Sequence, residues 1–476
     1  MIQYPNRRVF DLFWSHTFTE IIHLIAHELV LFAAIGFLIG GLDDLMIDLV
    51  WLARSFWRLL TVYRVHPRCD LEHLPPPERP GWIALFVPAW QEAAVIGQMA
   101  RTALARFDHP DYRLYIGCYP NDPETIRAVA DVAAGDARLC QVILPRAGPT
   151  TKADCLNGLW RQLLRDERAR GAAAKAIVLH DAEDVVHSGE LRIFDRLIER
   201  HDLVQLPVLP LVDAGSRWIS GHYCDEFAEA HGKAIVVREA LGAAIPAAGV
   251  GCAFSRGALA RIADAKGGAP FDADSLTEDY ELGLGIAALG GSGAFVSLPA
   301  CAGGAPVAIR AHFPARFADA VRQKSRWMAG IALSGWDRMG WGGGIAERWM
   351  RLRDRRAPIG AVVLLAAYAG FTLTMLALAM AWATGTALPA PPPTLALVLR
   401  INLLLLIWRL AWRMGFSARA YGWREGLRAA PRMVIANAVE IMAAKRAIAV
   451  YRTARRSGRV VWDKTAHVFP TWVPGE

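Results

Sequence analysis

Residues 176–184 read AIVLHDAED. Four apolar residues, Ala176–Leu179, stop at a polar turn that carries carboxylates at Asp181, Glu183 and Asp184. A short apolar run bounded by turn residues fits a strand buried on both faces. The pattern repeats outward from it, with candidate strands at Trp82–Val87, Tyr112–Tyr119, Cys140–Leu144 and Ala294–Leu298. Stretches of helical period lie between them, at Glu92–Phe107, Pro123–Val132 and Lys152–Arg165. Strands alternating with helices predict an α/β domain with a mostly parallel sheet. Ligands of such sheets sit beyond the carboxyl ends of the strands. Pro88–Glu92, Pro120–Asp122 and His180–Asp184 stand there, placing three acidic clusters at equivalent positions.

Each cluster has a functional and a structural reading. Carboxylates two residues apart at Asp181, Glu183 and Asp184 suit Mg²⁺ or Mn²⁺, or they bond backbone N–H groups of their own loop. Asn121 and Asp122 either accept hydrogen bonds from a base or ribose, or Asp122 caps the helix that Pro123 opens. Lys152 is a cation near a helix start, an unfavourable place that a bound anion offsets. Ser275–Leu282 reads SLTEDYEL. It is either a helix N-terminus with acids in its first turn, or Asp279, with Glu278 beside it, is a general base. In Gln323-Lys324-Ser325-Arg326-Trp327, positions 323, 326 and 327 share one helix face. That face either anchors at an interface or presents Arg326 to a diphosphate and Trp327 to a sugar ring.

The chain has 476 residues, a net charge of +8 and 54% hydrophobic residues, with a mean hydropathy of +0.24. It is too apolar for disorder and directs attention to membrane segments. Pro358–Thr384 carries no charge and is long enough to span a bilayer. Thr394–Trp412 is a second candidate, interrupted by Arg400 and Arg409, and Ile21–Gly41 a third. Residues 42–60 read as a separate amphipathic, interfacial helix. His27-Glu28 reads as a headgroup-layer contact or a metal or proton site, and Arg400 as a snorkelling side chain or a ligand contact. Arginines flank the spans: Arg54, Arg58, Arg64 and Arg68; Arg351, Arg353, Arg355 and Arg356; Arg413, Arg419, Arg424, Arg428 and Arg432. Positive flanks place the middle region and the C-terminal segment in the cytoplasm, and they make lipid the partner of the charge rather than nucleic acid. No signal peptide is expected from MIQYPNRRVFDLFWSHTFTE. Seven widely spaced cysteines without a CxxC pair fit a reducing compartment. The expected organisation is 1–75 membrane and interfacial helix, 76–345 catalytic domain, 346–416 helical hairpin, and 417–476 basic interfacial segment.

Pro88–Glu92, Asp122, Lys152–Asn157, Asp181–Glu183, Gly249–Phe254, Thr277–Asp279 and Gln323–Trp327, taken in order, resemble the processive family-2 glycosyltransferases, which include cellulose and hyaluronan synthases. The phrases FVPAWQEA, YPNDPET, HDAED, VRQKSRWMAGIALSGWDRMGW and DKTAHVFP are similar to the bacteriophage-adsorption type within that family. The resemblance implies a GT-A fold and a bacterial inner-membrane enzyme that inverts configuration. It would move a sugar, an N-acetylhexosamine, from a UDP-sugar to a growing exopolysaccharide. Pro88, Glu92, Asn121, Asp122, Lys152, Asp181 and Arg326 would bind the donor. Asp181 with Glu183 or Asp184 would hold Mg²⁺ or Mn²⁺, Asp279, Glu278 and Arg326 would carry the chemistry, and Gln323 and Trp327 would hold the acceptor. An outer-membrane export partner is implied. Three spans are few for a polymer channel, so a homo-oligomer or partner-completed pore is expected. Departures from the family pattern are Gln91 for asparagine, Glu183 in the second carboxylate position, and PND for DDG. Too few residues follow Arg459 to hold the cyclic-di-GMP module of longer relatives, so direct regulation by that nucleotide is not expected. The rival readings are a non-catalytic envelope-assembly or phage-adsorption factor with a degenerate transferase domain, and a transporter.

Overall fold

The computed structural model describes residues 7–457 and 467–470. The opening residues 1–6, Arg459 and the first half of DKTAHVFP lie outside the described residues. The chain divides into two compact units: the described residues of Met1–Leu49 with Arg356–Trp412, and Val50–Arg355 with the described residues of Arg413–Glu476.

The larger unit is built on a seven-stranded sheet of order β3-β2-β1-β4-β6-β5-β7. Its strands are β1 (Ile83–Pro88), β2 (Tyr112–Cys118), β3 (Leu139–Ile143), β4 (Ala176–Leu179), β5 (Leu203–Gln205), β6 (Cys252–Ser255) and β7 (Gly293–Phe295). β1 pairs in parallel with β2 on one side and β4 on the other, with Ile83 opposite both Tyr112 and Ala176. β6 runs antiparallel to both β4 and β5, while β5 and β7 are parallel. The sheet is thus mostly parallel with one reversed strand. β1 and β4 are buried throughout, as an apolar run covered by helices on both faces requires. One core face gathers Leu85, Val87, Ile116 and Val178; the other gathers Phe86, Tyr115, Ile177 and Phe254. Because β1 and β4 end side by side, the turns after Pro88 and Leu179 open onto the same edge.

The helix Phe317–Met328 carries the QKSRW sequence and passes directly into a π-helical turn, Ala329–Ser334. Lys324 on this helix pairs with Glu226 at 2.5 Å and Glu440 at 3.7 Å, so it ties together the helices Ile219–Glu229, Phe317–Met328 and Trp423–Ser457. Glu440 is therefore an internal ion-pair partner rather than an interfacial charge. Arg432 is likewise fully buried, 3.0 Å from Asp225 and 3.0 Å from Glu425. Arg351 is buried on Glu347 at 2.6 Å. Part of the positive charge assigned to lipid is thus consumed inside the protein. All seven cysteines are free.

The expected span and interfacial helix near the start are one uninterrupted helix, Arg7–Leu60, of which the part up to Leu49 belongs to the smaller unit. Nothing between them breaks it: Gly40 and Gly41 cost helix stability but keep their N–H groups, and no proline intervenes. The acids that read as an amphipathic face are paired. Asp43 and Asp44 meet Arg356 at 2.5 and 2.6 Å, Asp44 also meets Arg409, and Asp48 accepts from the Trp408 indole at 2.8 Å. Among the described residues, three helices are long and apolar enough to cross a membrane: Phe18–Val65, Ala357–Thr384 and Pro393–Tyr421.

Candidate active site

One cavity of about 470 Å³ lies beyond the ends of β1 and β4. Pro88, Glu92, Lys152, Asp181, Glu183, Asp184, Glu278, Asp279, Gln323, Arg326 and Trp327 all line it. Asn121 and Asp122 do not. The Asn121 amide donates to Gly148 O at 2.7 Å and accepts from Gly148 N at 2.8 Å. Asp122 caps the helix Pro123–Ala133 by accepting from Thr125 N, and it accepts from Gln91 N at 2.5 Å. Both are committed to holding backbone, which is the structural alternative open for Asp122.

That second contact fixes Gln91 at φ 55. Residues other than glycine seldom adopt this left-handed conformation, and asparagine does so more readily than glutamine. The departure at Gln91 thus falls where the backbone is strained, and the kink turns Glu92 into the cavity. Strain of this kind gathers at functional sites.

The loop after β4 is set by His180, which the sequence reading left without a role. His180 is fully buried, with Nδ1 3.0 Å from Asp184 and Nε2 3.0 Å from Glu190. Burial opposes its charge, but Glu190 and Asp184 outweigh burial and raise it to about 10. Asp184 also accepts from Asp181 N at 3.0 Å. Its carboxylate therefore shapes the loop, while Glu183 turns to the cavity.

Lys152 is the first residue of the helix Lys152–Arg170. Its ammonium lies 2.5 Å from Asp181 and 4.0 Å from Glu278. Burial alone would lower it; the carboxylates of Asp181, Glu278 and Asp279 hold it above its ordinary value. The unfavourable place of this cation is therefore offset by the protein's own anions. Burial, then Asp279, raises Glu278 to about 7 despite Lys152. Burial also raises Asp279. Gly249 has φ +76, and a Cβ there would come within 2.3 Å of Asp279 Oδ2, so only glycine lets this strand end approach the carboxylate. At Gly330, in the π-helical turn, a Cβ would meet Thr277 at 2.6 Å. The turn after QKSRW thus closes directly onto Thr277-Glu278-Asp279.

Trp327 forms an aromatic wall, its ring 6.1 Å from Tyr223, 6.2 Å from Phe227 and 6.5 Å from Phe313. Opposite the Lys152 pair lies a group the sequence reading did not find. His467 Nδ1 stands 2.9 Å from Glu92 and 3.2 Å from Glu183. Burial lowers His467, but Glu183 and Glu92 outweigh burial and raise it to about 9. Burial raises Glu183 to about 8 against the pull of His467. The only sequence signal was its place in DKTAHVFP, which carried no role.

The donor set fits a divalent cation. Glu183 Oε2 is buried and accepts no hydrogen bond, although His467 Nδ1 lies 3.2 Å from it. Carboxylates of Glu92 and Glu183 and the His467 nitrogen all lie within 4.8 Å of one another.

Residues 80–330 match the family described as "Glycosyltransferase like family 2", a little over half of the chain. The chain belongs to this family. It is 37% identical over 459 residues to bacteriophage adsorption protein B of Escherichia coli K12, an alignment covering 92% of this chain and 61% of that protein. Bacteriophage N4 adsorption protein B of Escherichia coli O157:H7 matches with the same identity and coverage. The chain thus spans about three fifths of the length of these curated relatives. Among solved structures it is similar to the mannosyltransferase PcManGT from Pyrobaculum calidifontis in complex with GDP-Man and Mn²⁺. That similarity has a TM-score of 0.50 and 17% identity, covering 90% of this chain and 99% of the other. The fold of this family-2 glycosyltransferase is of the GT-A kind, as the sequence resemblance implied.

Proposed function

We propose that this family-2 glycosyltransferase is a multi-pass membrane enzyme with its catalytic unit in the cytoplasm. It transfers a sugar from a UDP-sugar to a growing exopolysaccharide with inversion. The N-acetylhexosamine expectation for the sugar is retained. The observation that carries the reading is the convergence of Lys152, Asp181, Glu183, Asp279, Gln323, Arg326 and Trp327 on one cavity from four separate parts of the chain.

Asp181 and Glu183 would hold Mg²⁺ or Mn²⁺, and the bound ion would supply Lewis-acid charge to the diphosphate oxygens. Asp184 is assigned to shaping the loop. Lys152 and Arg326 add fixed positive charge for the leaving diphosphate. Asp279 takes the proton of the acceptor hydroxyl, a role that a raised carboxylate pKa favours near neutral pH. Burial and then Asp181 keep that pKa high, with Glu278 standing beside the base. Trp327 stacks on the acceptor sugar and Gln323 orients it. An export partner or a second copy would complete a polymer path.

The test is release of UDP from a panel of UDP-sugars by membrane vesicles holding the chain, with and without Mn²⁺ or Mg²⁺. Metal-dependent release with one donor supports the reading. The names of the curated relatives keep a second reading alive, an adsorption or assembly factor without catalysis. No release from any nucleotide sugar favours it.

A further inference from the structure

We propose that His312 is an acceptor-binding residue: its Nε2–H donates a hydrogen bond to an oxygen of the sugar that Trp327 stacks, and so sets how that sugar presents its hydroxyl. The inference rests on the reading above, since that reading brings an acceptor sugar to this cavity.

Position is the first observation behind it. His312 lines the cavity on a run of backbone held from both sides. Val185 N donates to Arg310 O at 2.7 Å and Arg310 N to Val185 O at 3.2 Å, which ties the run to the end of the Asp181–Asp184 turn. On the other side Leu209 N donates to Ile309 O at 2.9 Å and Leu211 N to Ala311 O at 2.8 Å. The next residue, Phe313, belongs to the aromatic wall, its ring 6.5 Å from Trp327 and 5.0 Å from Tyr223. The imidazole thus stands on fixed backbone between the carboxylate turn and the acceptor wall.

The ring also has no use within the protein. Among the described residues, none hydrogen-bonds to it, pairs with it or stacks on it, and its Nδ1 is buried without a partner. His180, His231 and His467, by contrast, are each held by named partners. A half-buried polar ring left unbonded costs stability unless a ligand supplies the bond. Because Nδ1 is enclosed, Nε2 is the nitrogen that reaches the cavity. A buried N–H without an acceptor is rarer than a buried lone pair without a donor, which assigns the proton to Nε2. The ionised carboxylates of the cavity only accept hydrogen bonds; His312 adds an uncharged donor beside them.

The experiment gives the whole chain, in membrane vesicles, a panel of UDP-sugars labelled in the sugar, and measures UDP released and sugar incorporated into polymer. A loosely held acceptor lets water take the donor sugar, so the ratio of release to incorporation reports how the acceptor is placed. His312→Phe keeps a ring and loses the donor; it should raise the ratio about 2–10-fold, the effect of one neutral hydrogen bond. His312→Gln can still donate and should stay closer to wild type. A merely structural role would lower release and incorporation together and leave the ratio where it was. An unchanged ratio in His312→Phe, or a ratio as high in His312→Gln, overturns the assignment and leaves the enzyme. If wild type releases UDP from no donor, the proposed reaction falls, and binding of β-linked N-acetylglucosamine tetramers to the chain purified in detergent, read by saturation-transfer NMR, decides the role of His312. Binding that His312→Phe weakens and His312→Gln retains supports the sugar contact. No tetramer binding to wild type, or equal binding by His312→Phe, overturns it.

Discussion

Lys152 Nζ stands 2.5 Å from Asp181 Oδ1, joining the start of one helix to the turn after β4. The pair balances charge within the cavity and, on the proposed reaction, places a cation where a leaving diphosphate would gain charge. Lys152→Ala should lower the rate of UDP release by about 10²–10³-fold, the usual cost of losing one preorganised stabilising group. Lys152→Arg keeps the charge and should retain more activity than the alanine variant. Initial-rate measurements at saturating donor check both.

Asp279→Asn should abolish transfer, a loss of about 10²–10⁴-fold for a general base, while UDP still binds. Gly249→Ala tests the same carboxylate from its other side. Its Cβ would come within 2.3 Å of Asp279 Oδ2, at a backbone φ of +76, so the carboxylate must move or the strand end must shift. Turnover should fall sharply in this variant, with donor KM changing much less. Calorimetric titration with UDP, beside the rate, separates a displaced base from a collapsed donor site.

His231 carries a pH dependence that has nothing to do with catalysis. Val208 N donates to its Nδ1 at 2.8 Å, which requires the neutral ring, and burial pulls its pKa down to about 4. The unfolded chain takes up this proton near the ordinary histidine value of about 6.5. Stability from this site is therefore complete above about pH 6.5 and is lost as the pH falls towards 4. His231→Gln can still accept the hydrogen bond but does not titrate. Its unfolding temperature should fall less than that of wild type between pH 7 and pH 5.

How much of this was legible depends on how local each signal is. β1, β2, β3 and β4 were readable because each is an apolar run of four to seven residues between polar turns. β5 and β7 are three residues long, and β6 follows Gly249-Val250-Gly251; such fragments do not establish a period. Of these only β7 was seen, as part of a longer run. TED and QKSRW were legible as motifs, yet the glycine at 330 that lets them meet showed its purpose only in three dimensions. Asp122 looked like a ligand and a cap at once, and geometry separated the two. Arg432 looked like membrane-facing charge because its partner Asp225 lies far away in sequence. His467 is 375 residues from Glu92, and no local pattern reveals such a pair.

The Arg432 cluster yields a stability prediction. Its guanidinium is 0% exposed and contacts Asp225 and Glu425 at 3.0 Å each, and Asp225 also accepts from Ser417 at 2.8 Å. Even with Arg432 present, burial raises Asp225 to about 6. Arg432→Met would leave the buried Asp225 carboxylate without its ion-pair partner, while Glu425 keeps Arg428, a change that costs about 3–5 kcal/mol when one partner of a buried pair is removed. Adding Asp225→Asn removes that charge, so the double variant should recover part of the loss. Thermal unfolding of the purified variants in detergent measures this coupling. If Arg432→Met and the double variant unfold at the same temperature as wild type, Arg432 is a solvated surface charge after all, and the internal ion pair contributes nothing to holding Trp423–Ser457 against Ile219–Glu229.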